Sequence, residues 1–341
     1  MLLNSNIATL CHTLIDNLPQ FDLSKLNKIS SLNNHDVENN IQPDLKYYTL
    51  EDFLNNDDIS QSKSMPFFQS TIHFNIRSLS ANHDGLTMLL SDLQNSFDVI
   101  GLSETKVKSN CDLTSNIAIE EYDFVSKPTL TNAVGVGFFI KEGIQFHIRG
   151  DLCSTTKEFE SLWIEINRDP YENILCTVIY RHPSGKTEDF NKYLFSTLEK
   201  LSKHNKLCLF MGDFNINLLN FEDCQITEEF INTVISYGFL PHILQPTRIT
   251  DHTATLIDNI FVNANEFVAT RGNLVCELTD NFPNFLIINK LYWTASNMTR
   301  FVYDYSCFDQ DNFSADVQSI QWDNVFREND INQMFDSFYS V

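Results

Sequence analysis

The sequence predicts an α/β fold in which two mixed β-sheets pack face to face between flanking helices, a four-layer sandwich. Two observations predict it. Between residues 67 and 293, short apolar runs of strand length alternate with helical patterns. Within residues 133–180 the runs follow one another with no helical pattern between them, so the sheets cannot be wholly parallel.

The predicted strands are apolar runs bounded by polar or turn residues. They are residues 67–75, 97–103, 133–140, 144–148, 161–166, 173–180, 206–211, 255–262, 274–278 and 285–293. Three predicted helices carry apolar residues three and four positions apart. Their apolar faces are Leu86, Leu89, Leu90 and Leu93; Phe190, Leu194, Leu198 and Leu201; and Phe230, Ile231, Val234 and Ile235.

This pattern predicts one folded domain at residues 66–292, with a segment on either side. Residues 1–65 contain one helical stripe and then a polar stretch rich in Asn, Asp and Ser, which predicts a partly disordered appendage. Residues 293–341 offer one or two short amphipathic helices but no core, which is typical of a linker.

The cysteines and the N-terminus indicate an intracellular protein, in the cytoplasm or nucleus. The eight cysteines are widely spaced and form no CxxC pair, so they predict reduced core thiols and no structural zinc. The first 20 residues lack a basic start, which argues against a secretory signal. No apolar run reaches the roughly 18 residues that would span a bilayer.

Several apolar runs end in an acid or an amide. STIHFN ends at Asn75, VIGLSE at Glu104 and CLFMGD at Asp213, with Asn215 two residues on; LVCELTD ends at Asp280. Any one of these could be an ordinary turn residue. Ligands of α/β sheets gather where strands end, and oxygen atoms are the ligands that Mg²⁺ prefers. Together the five side chains therefore predict a magnesium site.

Seven sequence strings occur in the order and spacing of a known superfamily. They are FNIRSL (74–79), GLSET (101–105), VIYRHPS (178–184), MGDFNIN (211–217), PTRIT (246–250), TLIDNIF (255–261) and LTDNFP (278–283). The chain resembles the endonuclease/exonuclease/phosphatase superfamily over residues 67–292, and especially the endonuclease domain of LINE-type (non-LTR) retrotransposons. The resemblance implies a DNase I-like fold, and it makes residues 293–341 resemble the start of a linker that would precede a reverse transcriptase.

The resemblance also implies roles for the strand-end residues. Glu104 is similar to the principal ligand of Mg²⁺ or Mn²⁺, with Asn75 beside it, and Asp280 would complete the site near the metal. Asp213 resembles the acid that orients or activates the attacking water. Asn215 would donate a hydrogen bond to a phosphate oxygen without adding a repelling charge.

One position departs from the family pattern. Tyr180 would contact the phosphate, and Asp258 resembles the acid that holds the catalytic histidine, but the residue after Asp280 is Asn281 instead of that histidine. An amide cannot transfer a proton at neutral pH, so we expect an impaired enzyme. His252 could be proposed as a substitute, but its setting predicts an exposed loop histidine.

Three functional hypotheses follow. The first is a Mg²⁺-dependent DNA-nicking phosphodiesterase that Asn281 impairs. The second is a non-catalytic remnant or binding module that keeps the fold. The third is a phosphodiesterase of small molecules or lipids, because the superfamily includes such enzymes. The formal net charge of −22 predicts that this chain alone binds DNA weakly, because nucleic-acid affinity depends on Lys and Arg contacts to phosphate.

Overall fold

The computed structural model places the domain's elements in a defined order. It describes residues 46–60, 69–94, 96–107, 117–127, 134–168, 173–203, 206–263, 267–291, 309–319 and 322. The chain divides into two compact units, residues 1–296 and 297–341. In the second unit the described element is one helix, α6 (Gln310–Ser319), which lies within the segment predicted to be a linker.

The strands of the first unit run in chain order as β1 (Lys46–Tyr48), β2 (Gln69–Asn75), β3 (Val99–Ser103), β4 (Tyr122–Lys127), β5 (Val136–Lys141), β6 (Phe146–Ile148), β7 (Ser154–Thr155), β8 (Phe159–Ile166), β9 (Ile174–Arg181), β10 (Cys208–Asp213), β11 (Leu240–Pro241), β12 (Arg248–Ile249), β13 (Ala254–Thr255), β14 (Asp258–Val262), β15 (Phe267–Leu274) and β16 (Asn284–Leu291). Its helices are α1 (Leu50–Leu54), α2 (Asp57–Ser60), α3 (Leu79–Asp92), α4 (Thr187–Ser202) and α5 (Gln225–Ser236).

Two mixed sheets form the centre of the domain. Sheet A has the strand order β1-β15-β16-β2-β3-β5-β4, and sheet B has the order β11-β14-β10-β9-β8-β6, with β7 also paired to β8. Each sheet contains a parallel pair joined through a helix, β2-α3-β3 in sheet A and β9-α4-β10 in sheet B. The other neighbours are antiparallel except for β1 beside β15.

The apolar residues form three buried clusters that define four layers. One cluster lies between the sheets and includes Phe138 of sheet A and Leu209 of sheet B. A second packs α3, through Leu86 and Leu90, on the outer face of sheet A. The third packs α4 and α5 on the outer face of sheet B. This arrangement confirms the predicted four-layer sandwich.

A segment ahead of residue 66 also packs against sheet A. Residues 46–60 fall within the predicted appendage, yet β1 adds to the edge of sheet A beside β15. Phe53 of α1 is fully buried, and its ring packs 5.2 Å from that of Phe285. Residues 46–60 therefore pack against sheet A, and the boundary at residue 66 stays a prediction. Residues 1–45 lie outside the described residues.

One predicted strand lies in the wrong place, and five strands were not predicted, namely β1, β4, β7, β11 and β12. The run 274–278 was predicted as a strand, but the strand is β15, which ends at Leu274. Its inward residues Arg271 and Asn273 are polar and buried, so an apolar-run criterion does not detect it. Strand β4 lies at the edge of sheet A and buries little beyond Tyr122, which leaves a weak apolar signal.

The described helices are too short or too polar to cross a membrane; α4, the longest of them, has 16 residues and carries charged side chains in its first and last turns.

Candidate active site

Strand register brings the predicted residues to one end of the two sheets. In sheet A, Asn75 pairs with Ser103, so Glu104 follows directly at the end of the neighbouring parallel strand. In sheet B, Asp213 pairs with Tyr180 on one side and with Asp258 on the other. The two parallel pairs thus present their carboxyl ends to the same cleft, as α/β sheets do at ligand sites.

The Asn75 side chain connects the two sheets. Its Nδ2 donates to Glu104 Oε1 at 2.9 Å and to Asp213 Oδ2 at 2.7 Å. Both amide hydrogens are thereby used, while Asn75 Oδ1 is buried and has no hydrogen-bond partner. A buried carbonyl oxygen without a donor beside a carboxylate is the kind of group that a hard cation binds.

The backbone at the site adopts conformations that most residues avoid. Glu104 has φ 54° and Asn215 has φ 48°, both in the left-handed region, which Asn tolerates but Glu rarely adopts. Such outliers persist where the surrounding structure fixes them, and they cluster at functional sites. Asn215 is held on both sides, because its N–H donates to Asp213 Oδ1 at 2.9 Å and its Nδ2 donates to the Arg181 carbonyl at 2.7 Å.

Burial and mutual repulsion perturb the acids of the cleft. Burial raises the pKa of Asp213 well above its ordinary range, and the nearby carboxylates of Asp258 and Glu104 raise it further. Burial likewise raises the pKa of Asp258 to about 7, against hydrogen bonds from Thr247 and Asn281 that lower it. Acids with raised pKa values in a cleft are suited to proton transfer, and a bound divalent cation would offset their repulsion.

Tyr180 ends its strand inside the same cleft. Burial raises the pKa of its hydroxyl above the ordinary value, and Glu104 and Asp213 raise it further. The hydroxyl therefore stays protonated at neutral pH and can donate a hydrogen bond. The ring of His182 lies edge-on to Tyr180 at 5.1 Å, and burial lowers the pKa of that histidine.

Asn281 occupies a position beside the acid that the sequence predicts to orient a histidine. Its Nδ2 donates to Asp258 Oδ2 at 2.9 Å, and the Thr247 hydroxyl donates to the same oxygen at 2.6 Å. Asn281 is only 3% exposed. Asp258 Oδ1 lies 3.9 Å from Nδ1 of the buried His73, and neither atom has a hydrogen-bond partner.

Asp280 is placed differently from the metal ligand that the sequence predicts. Its Oδ2 lies 2.5 Å from an Arg77 guanidinium nitrogen and 3.0 Å from one of Arg248. That oxygen is therefore bound to two cations in this structure, and the carboxylate is not part of the Asn75 hydrogen-bond network. Its role as a metal ligand remains a prediction.

Several residues of the site have contacts that sequence reasoning did not anticipate. Thr247 and Arg248 belong to the PTRIT string, and Arg77 belongs to FNIRSL, so the motifs contained them without indicating a role. Arg181 follows Tyr180 and donates from Nε and a terminal nitrogen to the carbonyls of Phe214 and Asn215 at 2.6 and 2.7 Å, which fixes the turn after β10. His252 lies exposed in the turn between β12 and β13, as predicted.

The metal site that the sequence predicts would have few protein ligands. Among the residues that the structure describes, no group of three or more His, Cys, Asp and Glu side chains could hold a metal ion. Mg²⁺ needs only one or two carboxylates, since it keeps several waters and shares substrate phosphate oxygens. The Glu104 carboxylate and the free Asn75 Oδ1 fit that requirement.

Comparison with solved structures shows where the same fold occurs. The AP endonuclease LMAP from Leishmania major matches with a TM-score of 0.52 and 13% identity over 71% of this chain and 98% of its own. The 3'-5' exonuclease NExo from Neisseria meningitidis matches with a TM-score of 0.50 and 13% identity over 66% and 100%. The endonuclease domain of TRAS1, a telomere-specific non-LTR retrotransposon, matches with a TM-score of 0.49 and 12% identity over 65% and 98%.

No curated protein sequence matches the chain. A model of the Endonuclease/Exonuclease/phosphatase family matches residues 72–284, more than half of the chain and the whole stretch that carries the cleft residues. The chain belongs to the endonuclease/exonuclease/phosphatase family.

Proposed function

We propose that the domain is a Mg²⁺-dependent phosphodiesterase that nicks DNA, of the kind that non-LTR retrotransposons encode, and that Asn281 slows it. The observation that carries the proposal is the Asn75 amide, which holds Glu104 of one sheet and Asp213 of the other within a single hydrogen-bonded cluster. The retrotransposon assignment is supported by the YRHPS, PTRIT and TLIDNIF strings.

Glu104 and Asn75 would hold the metal, and Asp280 would join them only after releasing an arginine. Mg²⁺ bound there would act as a Lewis acid that offsets charge on the phosphoryl oxygens. Asp213 would accept the proton of the attacking water, because its raised pKa makes it a better base than an ordinary aspartate. Its orientation is fixed by the donors from Asn75 and Asn215.

Two neutral donors would position the phosphate. The Tyr180 hydroxyl remains protonated and can donate to a phosphate oxygen. One hydrogen of the Asn215 amide is used by the Arg181 carbonyl, and the Asn215 side chain also hydrogen-bonds Tyr180, so it would exchange Tyr180 for substrate. Neither group adds negative charge beside a phosphodiester.

Asn281 limits the rate in this proposal. Its amide keeps the hydrogen bond to Asp258 that a histidine ring would make, but it does not titrate and gains no positive charge. Losing a general acid or base lowers rates by about 10² to 10⁴. The second hypothesis, a non-catalytic remnant or binding module that keeps the fold, is favoured by the same residue.

A plasmid-nicking assay with Mg²⁺ separates these possibilities. We expect slow nicking by the wild-type chain, faster nicking by Asn281→His by about 10² or more, and no nicking by Glu104→Ala in either background. Wild-type nicking equal to or above that of Asn281→His would remove the claim of impairment. Nicking by Asn281→His alone would favour the binding module, and no nicking by either would overturn the enzymatic proposal.

A further inference from the structure

Two arginines converge on one carboxylate oxygen at the mouth of the cleft. We propose that Arg77 and Arg248 form a binding site for a backbone phosphate of the DNA strand, with Asp280 holding the two guanidinium groups in place until DNA arrives. The choice of DNA as the polymer rests on the proposed function. The site itself is argued from the contacts and exposure of these three side chains.

The two arginines come from different parts of the fold. Arg77 lies two residues beyond Asn75, in the loop that leaves β2 of sheet A, with φ 55°. Arg248 belongs to the β12-β13 ribbon and forms an isolated β-bridge with Asn281. The two cations therefore stand beside two residues of the cleft, Asn75 and Asn281, so a phosphate between them would lie beside the proposed catalytic residues.

Both guanidinium groups retain donors that the protein does not use. Arg77 and Arg248 have side chains that are 47% and 41% exposed, and the contacts to Asp280 involve one terminal nitrogen of each. Arg248 Nε is buried and has no hydrogen-bond partner. A guanidinium group carries five N–H donors in a planar fork that matches phosphate, so each arginine can bind a phosphate oxygen as well as Asp280.

The local charge favours an anion although the whole chain repels it. Two positive groups share a single negative group here, which leaves one net positive charge on these three side chains, although the cleft beside them holds the carboxylates of Glu104, Asp213 and Asp258 and the chain as a whole carries −22. A bound phosphate would neutralise this positive charge. In a chain of such negative charge, a few arginines at the mouth of the cleft would supply most of the electrostatic attraction to DNA.

The alternative is that the two arginines only tie the Asp280 loop to its neighbours. The two roles predict different results for Asp280→Asn. If the arginines bind phosphate, Asp280→Asn removes their competitor and tightens DNA binding. If they serve only as a tie between loops, the same variant lowers the unfolding free energy and leaves DNA affinity unchanged.

The experiment measures binding of a short fluorescent duplex by anisotropy in EDTA, across a series of salt concentrations, so that it does not depend on cleavage. We expect Arg77→Gln and Arg248→Gln each to weaken binding about tenfold at low salt, since a hydrogen bond to a charged group contributes on that scale. Each should reduce the salt slope by about 1, and the double variant by about 2.

Arg149→Gln is the matched control. Arg149 also makes two ion pairs, with Asp151 and Glu165, but lies beside β6 and the far end of β8, away from the cleft. It should leave affinity and slope unchanged. Circular dichroism melts of every variant exclude unfolding as the cause of weaker binding.

Wild-type affinity and slope retained in the double variant would overturn the inference, as would a wild-type chain that binds no duplex at low salt. Failure of the proposed nuclease function would give a different result. A chain that binds DNA through these arginines but does not nick it would still show the smaller salt slopes expected for the arginine variants.

Discussion

Glu160 carries a carboxylate into the interior beside the candidate site. It pairs with Tyr180 across β8 and β9 and is only 3% exposed, and its Oε2 has no hydrogen-bond partner. Burial raises its pKa from 4.5 to about 7, against Lys127 and a backbone hydrogen bond from Gly135, which lower it. A buried carboxylate without a full set of donors is destabilised in its charged form.

This position predicts how stability depends on pH. The folded state binds the Glu160 proton more tightly than the unfolded state does. Protonated Glu160 therefore stabilises the folded state fully below pH 4.5, and this contribution to the unfolding free energy is lost as the pH rises through about 7. Glu160→Gln removes that proton equilibrium. We expect the variant to exceed the wild type in unfolding free energy at pH 8 by up to about 3 kcal/mol, with the gap closing at pH 5.

Urea titrations at the two pH values measure this difference. Glu199→Gln is the control, because Glu199 is an exposed glutamate of α4 that pairs with Lys203. Glu199→Gln should show no pH-dependent gap. A constant difference between Glu160→Gln and the wild type at both pH values would contradict the argument.

At the scale of elements, Gly212 allows β9 and β10 to lie close enough to position Asp213. Its φ is 152°, and a Cβ built there would lie 1.9 Å from the Ile179 carbonyl oxygen. That atom belongs to backbone paired within the sheet, so it cannot move without separating the strands. Only glycine fits, because both the conformation and the space exclude a side chain.

Gly212→Ala should therefore disrupt the parallel pair that carries Tyr180 and Asp213. We expect a loss of about 4 kcal/mol in unfolding free energy, together with loss of any nicking that the wild type shows. Gly150→Ala is the matched control, since a Cβ there meets nothing within 4 Å. It should be neutral or slightly stabilising. Equal stabilities for the two variants would show that the close approach is not required.

The sequence was informative about elements wherever burial follows an apolar pattern. The β2-α3-β3 and β9-α4-β10 units were predictable, and with them the meeting of Asn75, Glu104 and Asp213 at strand ends. Strand β15 was not, because its inward residues are polar. Arg271 donates to His242 Nδ1 at 2.9 Å, and Asn273 Nδ2 donates to the carbonyls of Gln245 and Pro246. These contacts depend on distant parts of the chain.

The contacts among loops were also beyond prediction from sequence. The strings FNIRSL and PTRIT contained Arg77 and Arg248, but their convergence on Asp280 depends on how three loops approach one another. The same applies to the hydrogen bond from Thr247 to Asp258. The positions of functional side chains at strand ends can be predicted from the topology, whereas contacts between side chains on loops can be seen only in the structure.

At the scale of the whole molecule, the segment before the family match completes sheet A. Strand β1 covers the edge of β15, and the Tyr47 hydroxyl donates to the Pro246 carbonyl at 2.8 Å. Tyr48 packs on Phe285 with ring centroids 5.1 Å apart, and Phe53 packs on both Phe97 and Phe285. An edge strand left unpaired is also a site for aggregation.

A chain that starts at residue 66, where the apolar pattern alone places the domain, should therefore be less stable and more prone to aggregate than one that starts at residue 46.

Phe53→Ala in the longer chain measures how much the packing of this one ring contributes, and we expect it to lower the unfolding free energy by about 3–5 kcal/mol. Phe195→Ala, which truncates an exposed phenylalanine of α4, should lower it by about 1 kcal/mol or less. Urea denaturation of the four proteins tests this, and equal midpoints for the two chain starts would mean that residues 46–60 rest on the sheet without stabilising it.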